Sequence, residues 1–86
     1  MYVILVYDID KKRVGKMLKL CRKYLHWIQN SVLQGEITDV KLKELVLAAK
    51  EIMDDKDSLI IFKSRDEKWL EKEVHGHEKN EVDTFL

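Results

Sequence analysis

Proline is absent from these 86 residues, glycine occurs three times and cysteine once. Without proline or clustered glycine there is no composition for a flexible linker, so the chain reads as undivided. A single cysteine, Cys21, excludes an internal disulfide framework and fits a reducing, cytoplasmic setting. No stretch approaches the roughly 20 apolar residues that a membrane span requires. The apolar opening Met1–Tyr7 is too short for a span, has no basic residues before it and lacks a small-residue cleavage site, so it does not read as a signal peptide. Net charge is also lacking: 16 basic residues balance 16 acidic ones, which argues against a uniformly basic nucleic-acid-binding surface.

The balance hides an asymmetry. Between Lys11 and Gly35 there is no Asp or Glu at all, while Lys11, Lys12, Arg13, Lys16, Lys19, Arg22 and Lys23 are all basic. The acids are concentrated after Gly35. A local basic patch steers a polyanion even in a neutral protein. Apolar residues make up 45% of the chain, enough for a core, but a domain this small buries only roughly 60–65% of its unfolded surface. Self-association would add to a modest stability.

Met1-Tyr2-Val3-Ile4-Leu5-Val6-Tyr7 has the length and β-branched, aromatic character of a fully buried strand, and it runs into Asp8. A carboxylate at the carboxyl end of a strand sits where α/β proteins place ligands. Asp10 reads as the cap of a first helix, in which Val14, Met17, Leu18, Cys21 and Leu25 form an apolar stripe and Lys12, Lys16, Lys19 and Lys23 lie mostly opposite. His26 to Glu36 reads as extended, either one strand or two meeting at Asn30, with Gly35 marking a bulge. Thr38 or Asp39 caps a second helix with Leu42, Leu45, Val46, Ala49, Ile52 and Met53 at threes and fours. Asp54-Asp55-Lys56-Asp57 ends it. Leu59–Phe62 reads as a second buried strand, Lys63 to Lys68 as a charged turn and Trp69 to His75 as a weaker strand broken at Gly76. A polar stretch then leads to the apolar Thr84-Phe85-Leu86. This order predicts an α+β sandwich: residues 1–76 form the domain, both helices on one sheet face, and 77–86 form a tail. The other sheet face needs a cover, and a second copy of the chain is the obvious one.

Asp8 has two readings on its residue type: a strand-end or helix-capping acid, or a ligand for a hard cation such as Mg²⁺, which needs only one or two carboxylates. Tyr7 either hydrogen-bonds a phosphate or completes the sheet edge. Arg13, Lys16 and Arg22 either neutralise phosphates or form a solvated helix face. Ser31 donates to a phosphate or, more simply, to the backbone. His75 and His77 have His-x-His spacing but no third ligand nearby in sequence. Trp27 and Trp69 stack on bases or seal a core or dimer surface.

Tyr7-Asp8-Ile9 after an N-terminal strand, a basic first helix, and then Ile28-Gln29-Asn30-Ser31-Val32-Leu33-Gln34-Gly35-Glu36-Ile37 resemble the small CRISPR-associated Cas2 family, as do the Leu59–Phe62 strand and Val74-His75-Gly76. The family's stretch after the first helix has phenylalanine where Leu33 stands and glutamate where Gln34 stands. Its first helix carries arginines at positions matched by Arg13 and Lys16, the latter a point charge rather than a bidentate fork. The resemblance implies a ferredoxin-like fold and a homodimer packed sheet to sheet, with the C-terminal strand crossing to the partner. It implies paired Asp8 carboxylates holding one Mg²⁺ and acting in phosphodiester hydrolysis of RNA or DNA. It also implies a spacer-acquisition role in which the dimer holds duplex DNA together with the Cas1 integrase. The alternatives are a toxin-like ferredoxin-fold ribonuclease and a non-catalytic regulatory dimer.

Overall fold

The computed structural model of the chain describes residues 1–76; the expected tail over 77–86, with His77 and the apolar Thr84–Leu86 end, lies outside the described residues. The described elements are β1 (Tyr2–Asp8), α1 (Lys11–Cys21), β2 (His26–Gln29), β3 (Val32–Glu36), α2 (Asp39–Ile52) and β4 (Ser58–Ser64), followed by a 3-10 turn over Glu67–Trp69. The four strands form one antiparallel sheet in the order β2-β3-β1-β4. This is the α+β sandwich expected from the order of elements, in the ferredoxin-like form that the family resemblance implies. No helix among the described residues is long and apolar enough to cross a membrane.

β1 is the central strand. Its period-two alternation sends Val3, Leu5 and Tyr7 to the core, where they join Met17, Cys21, Leu33, Leu42, Leu45 and Ala49. Both helices therefore cover the same sheet face. The helix starts follow from their caps: Asp10 accepts from the Lys12 amide at 2.9 Å, and Thr38 Oγ1 accepts from the Lys41 amide at 3.2 Å. α1 ends at Cys21, earlier than its apolar stripe suggests, and Leu25 reaches the core from the turn beyond it. Cys21 is buried on the stripe, and burial pushes its thiol up to about 11.

Of the two forms expected for His26 to Glu36 the structure has the second, two strands joined through Asn30, which takes the left-handed conformation (φ 42°) that asparagine tolerates. Three other expectations are corrected. The irregularity lies between Trp27 and Gln29 in β2, while Gly35 pairs in register with Val3. Gly35 has a different constraint: a Cβ there would stand 3.3 Å from Leu25 Cδ2 and 3.7 Å from Leu25 Cα. β4 is an edge strand covered on one face only: Leu59 and Ile61 pack inward, while Ile60 and Phe62 are exposed. Residues 69–75 form no strand. Asp66 caps the 3-10 turn through the Lys68 amide, and beyond it Glu71, Lys72 and Glu73 are solvated.

Candidate functional site

The site grows from the alternation of β1. If Val3, Leu5 and Tyr7 face the helices, then Tyr2, Ile4, Val6 and Asp8 face away from them. The register carries this face across the sheet: Ile4 pairs with Phe62, Val6 with Ile60 and Asp8 with Ser58 on one side, and Val6 with Val32 on the other. Ile60 is 50% exposed and Phe62 59%. Asp8 is thus an exposed carboxylate at the end of a sheet face that is closed over Tyr2 and open at Ile60 and Phe62.

After Asp8 the chain turns at Ile9-Asp10 into α1. Asp57, from the loop between α2 and β4, holds this turn. Its side chain is only 4% exposed, and it accepts from the Asp10 amide at 3.2 Å, from the Asp54 amide at 2.9 Å and from Arg13 Nη2 at 2.6 Å. Arg13 Nη2 also lies 3.2 Å from Asp54 Oδ2. The Asp54 amide, then the Arg13 guanidinium and the Asp10 amide, hold the Asp57 carboxyl below its ordinary value, and the Arg13 guanidinium is correspondingly raised, chiefly by Asp57. Asp8, Ile9, Asp10, Arg13, Asp54, Lys56 and Asp57 line one open cleft of about 300 Å³.

The candidate residues are therefore not all in one place. Asp8, Asp10 and Arg13 share the cleft, but Asp10 is the helix cap and the Arg13 guanidinium is committed to Asp57 and Asp54 rather than to solvent. Lys16 is exposed further along α1. Arg22 is the C-cap residue, roughly 13–14 Å beyond Arg13 at helical rise, and its guanidinium carbon stands 5.5 Å over the Trp27 ring. Tyr7 is 2% exposed and faces the core; burial pushes its phenol up, and nearby Ser31 offsets part of that. The Tyr7 hydroxyl makes no hydrogen bond of ordinary geometry, so it supports the sheet from inside instead of meeting solvent. The Ser31 carbonyl accepts from the Tyr7 amide at 3.1 Å, tying the β2–β3 turn to β1. His75 pairs with Glu73 in the exposed segment after the 3-10 turn, far in sequence from this cleft.

Among the described residues, no group of three or more His, Cys, Asp or Glu is placed to hold a metal ion. Among the described residues, Asp8 is an exposed carboxylate at the end of the open face. That donor set fits a hard, water-retaining cation such as Mg²⁺ when a second carboxylate or a phosphate completes the shell, and it does not suit a soft metal. The grip of Asp57 on Asp10 and Arg13 escapes a reading of the sequence because those partners lie 47 and 44 residues away. The local signal for it is an acid directly before the strand that pairs with the Asp8 strand.

Residues 1–72 match the family model described as CRISPR associated protein Cas2. The chain is similar to the CRISPR-associated endoribonuclease Cas2 of Fusobacterium nucleatum, with 47% identity covering 100% of this chain and 87% of that protein. It is 45% identical to the protein of the same name from Dictyoglomus turgidum, covering 100% of both chains. A Cas2 crystal structure superposes with a TM-score of 0.81 at 38% identity, covering 93% of this chain and 91% of that one. The crystal structure of Streptococcus pyogenes Cas2 at pH 6.5 gives a TM-score of 0.69 at 28% identity, covering 74% of this chain and 86% of that one.

Proposed function

This chain belongs to the CRISPR-associated Cas2 family, and on that footing we propose that it acts as a homodimer that binds nucleic-acid backbones and hydrolyses phosphodiester bonds through Asp8. The observation that carries the proposal is the position of Asp8: exposed, and on the same face as the exposed Ile60 and Phe62. Covering that apolar face with a second copy brings two such carboxylates toward a common axis. RNA is the first substrate to consider, because the relatives are named endoribonucleases.

In the proposed site Asp8 of each protomer would hold Mg²⁺ through a carboxylate oxygen, and the chemistry supplied there would be a more acidic bound water and a polarised scissile phosphate. The protein's own part is placement. β1 fixes Asp8 through its pairing with β4, and the capped start of α1 fixes the turn that follows. Wild type and Asp8→Asn compared on RNA and on duplex DNA, with and without a chelator, test the proposal. The wild-type dimer should cut only with the cation present, and Asp8→Asn should lose at least roughly a hundredfold in rate, the scale of a removed electrostatic contact in a reaction centre. Equal cutting by both proteins overturns it.

A second role is supported by a different observation. α1 has no acid in its first turn, and Lys12, Lys16, Lys19 and Lys23 are all exposed. We propose that this row holds duplex DNA in a spacer-acquisition assembly with the Cas1 integrase, a role that needs no cutting. Replacing Lys16 and Lys19 by alanine should flatten the dependence of log affinity on log salt by about 0.9 per lost phosphate contact. Arg13→Ala should leave that slope unchanged, since its guanidinium is held by Asp57. An unaltered slope in the lysine variant argues against the α1 face as the binding surface.

A further inference from the structure

We propose that Asp57 is the positioning residue for Asp8, clipping the segment that carries it between two loops. The inference rests on the reading of Asp8 as the reactive carboxylate. It begins from the ends of β1 and β4. Asp8 is the last residue of β1 and pairs with Ser58, the first of β4. Asp57 is the residue just before Ser58, so its backbone enters the sheet beside Asp8. Its side chain turns back to take the Asp10 amide on Oδ1 at 3.2 Å. Asp8 is therefore held from both directions: by strand pairing at its own position, and two residues later by the Asp57 carboxylate.

The other oxygen of Asp57 anchors the clip. Oδ2 accepts from the Asp54 amide at 2.9 Å and from Arg13 Nη2 at 2.6 Å, while the Asp57 amide donates to the Asp54 carbonyl at 3.0 Å. The α2–β4 loop is thus folded around the same carboxylate that grips the β1–α1 turn, and α1 joins through Arg13. Arg13 has a second effect. Asp57 is a nearly buried carboxylate in a cleft that Asp8, Asp10 and Asp54 also line, and the guanidinium offsets its charge. Asp8 stays exposed, while Asp57 is spent on geometry. Reacting groups must be held to within a fraction of an ångström, and loosening such a strap costs turnover more than binding.

The test uses the full-length protein and two readouts. The first is hydrogen exchange of the Asp10 amide without metal. Asp57→Ala removes the acceptor, so this amide should exchange at least roughly tenfold faster, while the Leu5 amide inside β1 stays protected. The second is cleavage of RNA with Mg²⁺: Asp57→Ala should lower kcat at least roughly tenfold with KM within about twofold of wild type. Tyr24→Phe, which removes the 2.7 Å hydroxyl bond to Glu44 elsewhere on the helix layer, should change neither. Should Asp57→Ala not fold, Asp57→Asn takes its place, with one accepting oxygen instead of two. Unchanged Asp10 exchange overturns the proposal. So does faster exchange with undiminished kcat when Asp8→Asn is inactive. If Asp8→Asn cuts as fast as wild type, the cleavage reading falls, and exchange at Asp10 alone then decides whether Asp57 holds the segment.

Discussion

Asp57 accepts three hydrogen bonds from groups on two loops and a helix, with its side chain 4% exposed. Its carboxyl is held below the ordinary 3.8, first by the Asp54 amide and then by Arg13 and the Asp10 amide. A carboxyl depressed on folding contributes stability that is fully present above its unfolded value and disappears as pH falls through its folded value. The stability difference between wild type and Asp57→Asn, read from urea unfolding, should therefore be constant from neutral pH down to the ordinary carboxylate range. It should shrink below that range as the wild-type carboxyl takes its proton; a difference that stays flat to the lowest pH contradicts the linkage. The same residue shows which side chains sequence reasoning can reach. Asp10 and Thr38 were readable as caps because each bonds an amide two or three residues ahead. Asp8 was readable because the strand before it is uninterrupted. Asp57 was not, and neither was its capture of Arg13, because nothing local distinguishes an acid that ends a helix from one that binds a loop formed by distant residues.

At the scale of elements, both helices follow their apolar spacing, and β1 follows its unbroken run. The failures occur where composition alone had to decide between one covered face and two. Leu59-Ile60-Ile61-Phe62 is as apolar as a central strand, yet the order β2-β3-β1-β4 leaves it at the edge with Ile60 and Phe62 uncovered. Trp69 to His75 reads as a weaker strand, but Glu71, Lys72 and Glu73 offer little to bury, and the segment forms no strand among the described residues. Gly35 reads as a bulge signal, whereas its role is to let β3 approach the turn after α1, where Leu25 Cδ2 would lie 3.3 Å from a Cβ. Gly35→Ala should accordingly destabilise the fold by about 1–3 kcal/mol, the usual cost of overpacking a tight contact. The check is the midpoint of urea unfolding with the slope unchanged. Leu25→Ala combined with Gly35→Ala should cost less than the sum of the two single changes, since the methyl that crowds the site is gone.

For the whole molecule, the uncovered face is the feature that the proposed dimer depends on. The sandwich with both helices on one face was legible from element order and its ferredoxin-like form from the family resemblance, while the proposed packing of one chain on another rests on the exposed Ile60 and Phe62 and on the smallness of the domain. Phe62→Glu puts a charge on the exposed part of that face without touching the core. It should shift the protein to monomers in sedimentation, weakening association at least tenfold, roughly 1.4 kcal/mol or more, while the far-ultraviolet spectrum is retained. A variant that sediments like wild type places the interface elsewhere. Asp8 lies on this same face, one per chain, and this has a consequence for inheritance and dosage. Where each working centre is drawn from two identical halves, a cell carrying both intact and Asp8→Asn copies mixes them at random. Function then falls with the square of the intact fraction instead of in proportion to it. In the proposed dimer the defective allele would then behave as dominant, and two differently damaged halves would not complement each other when both damages strike Asp8.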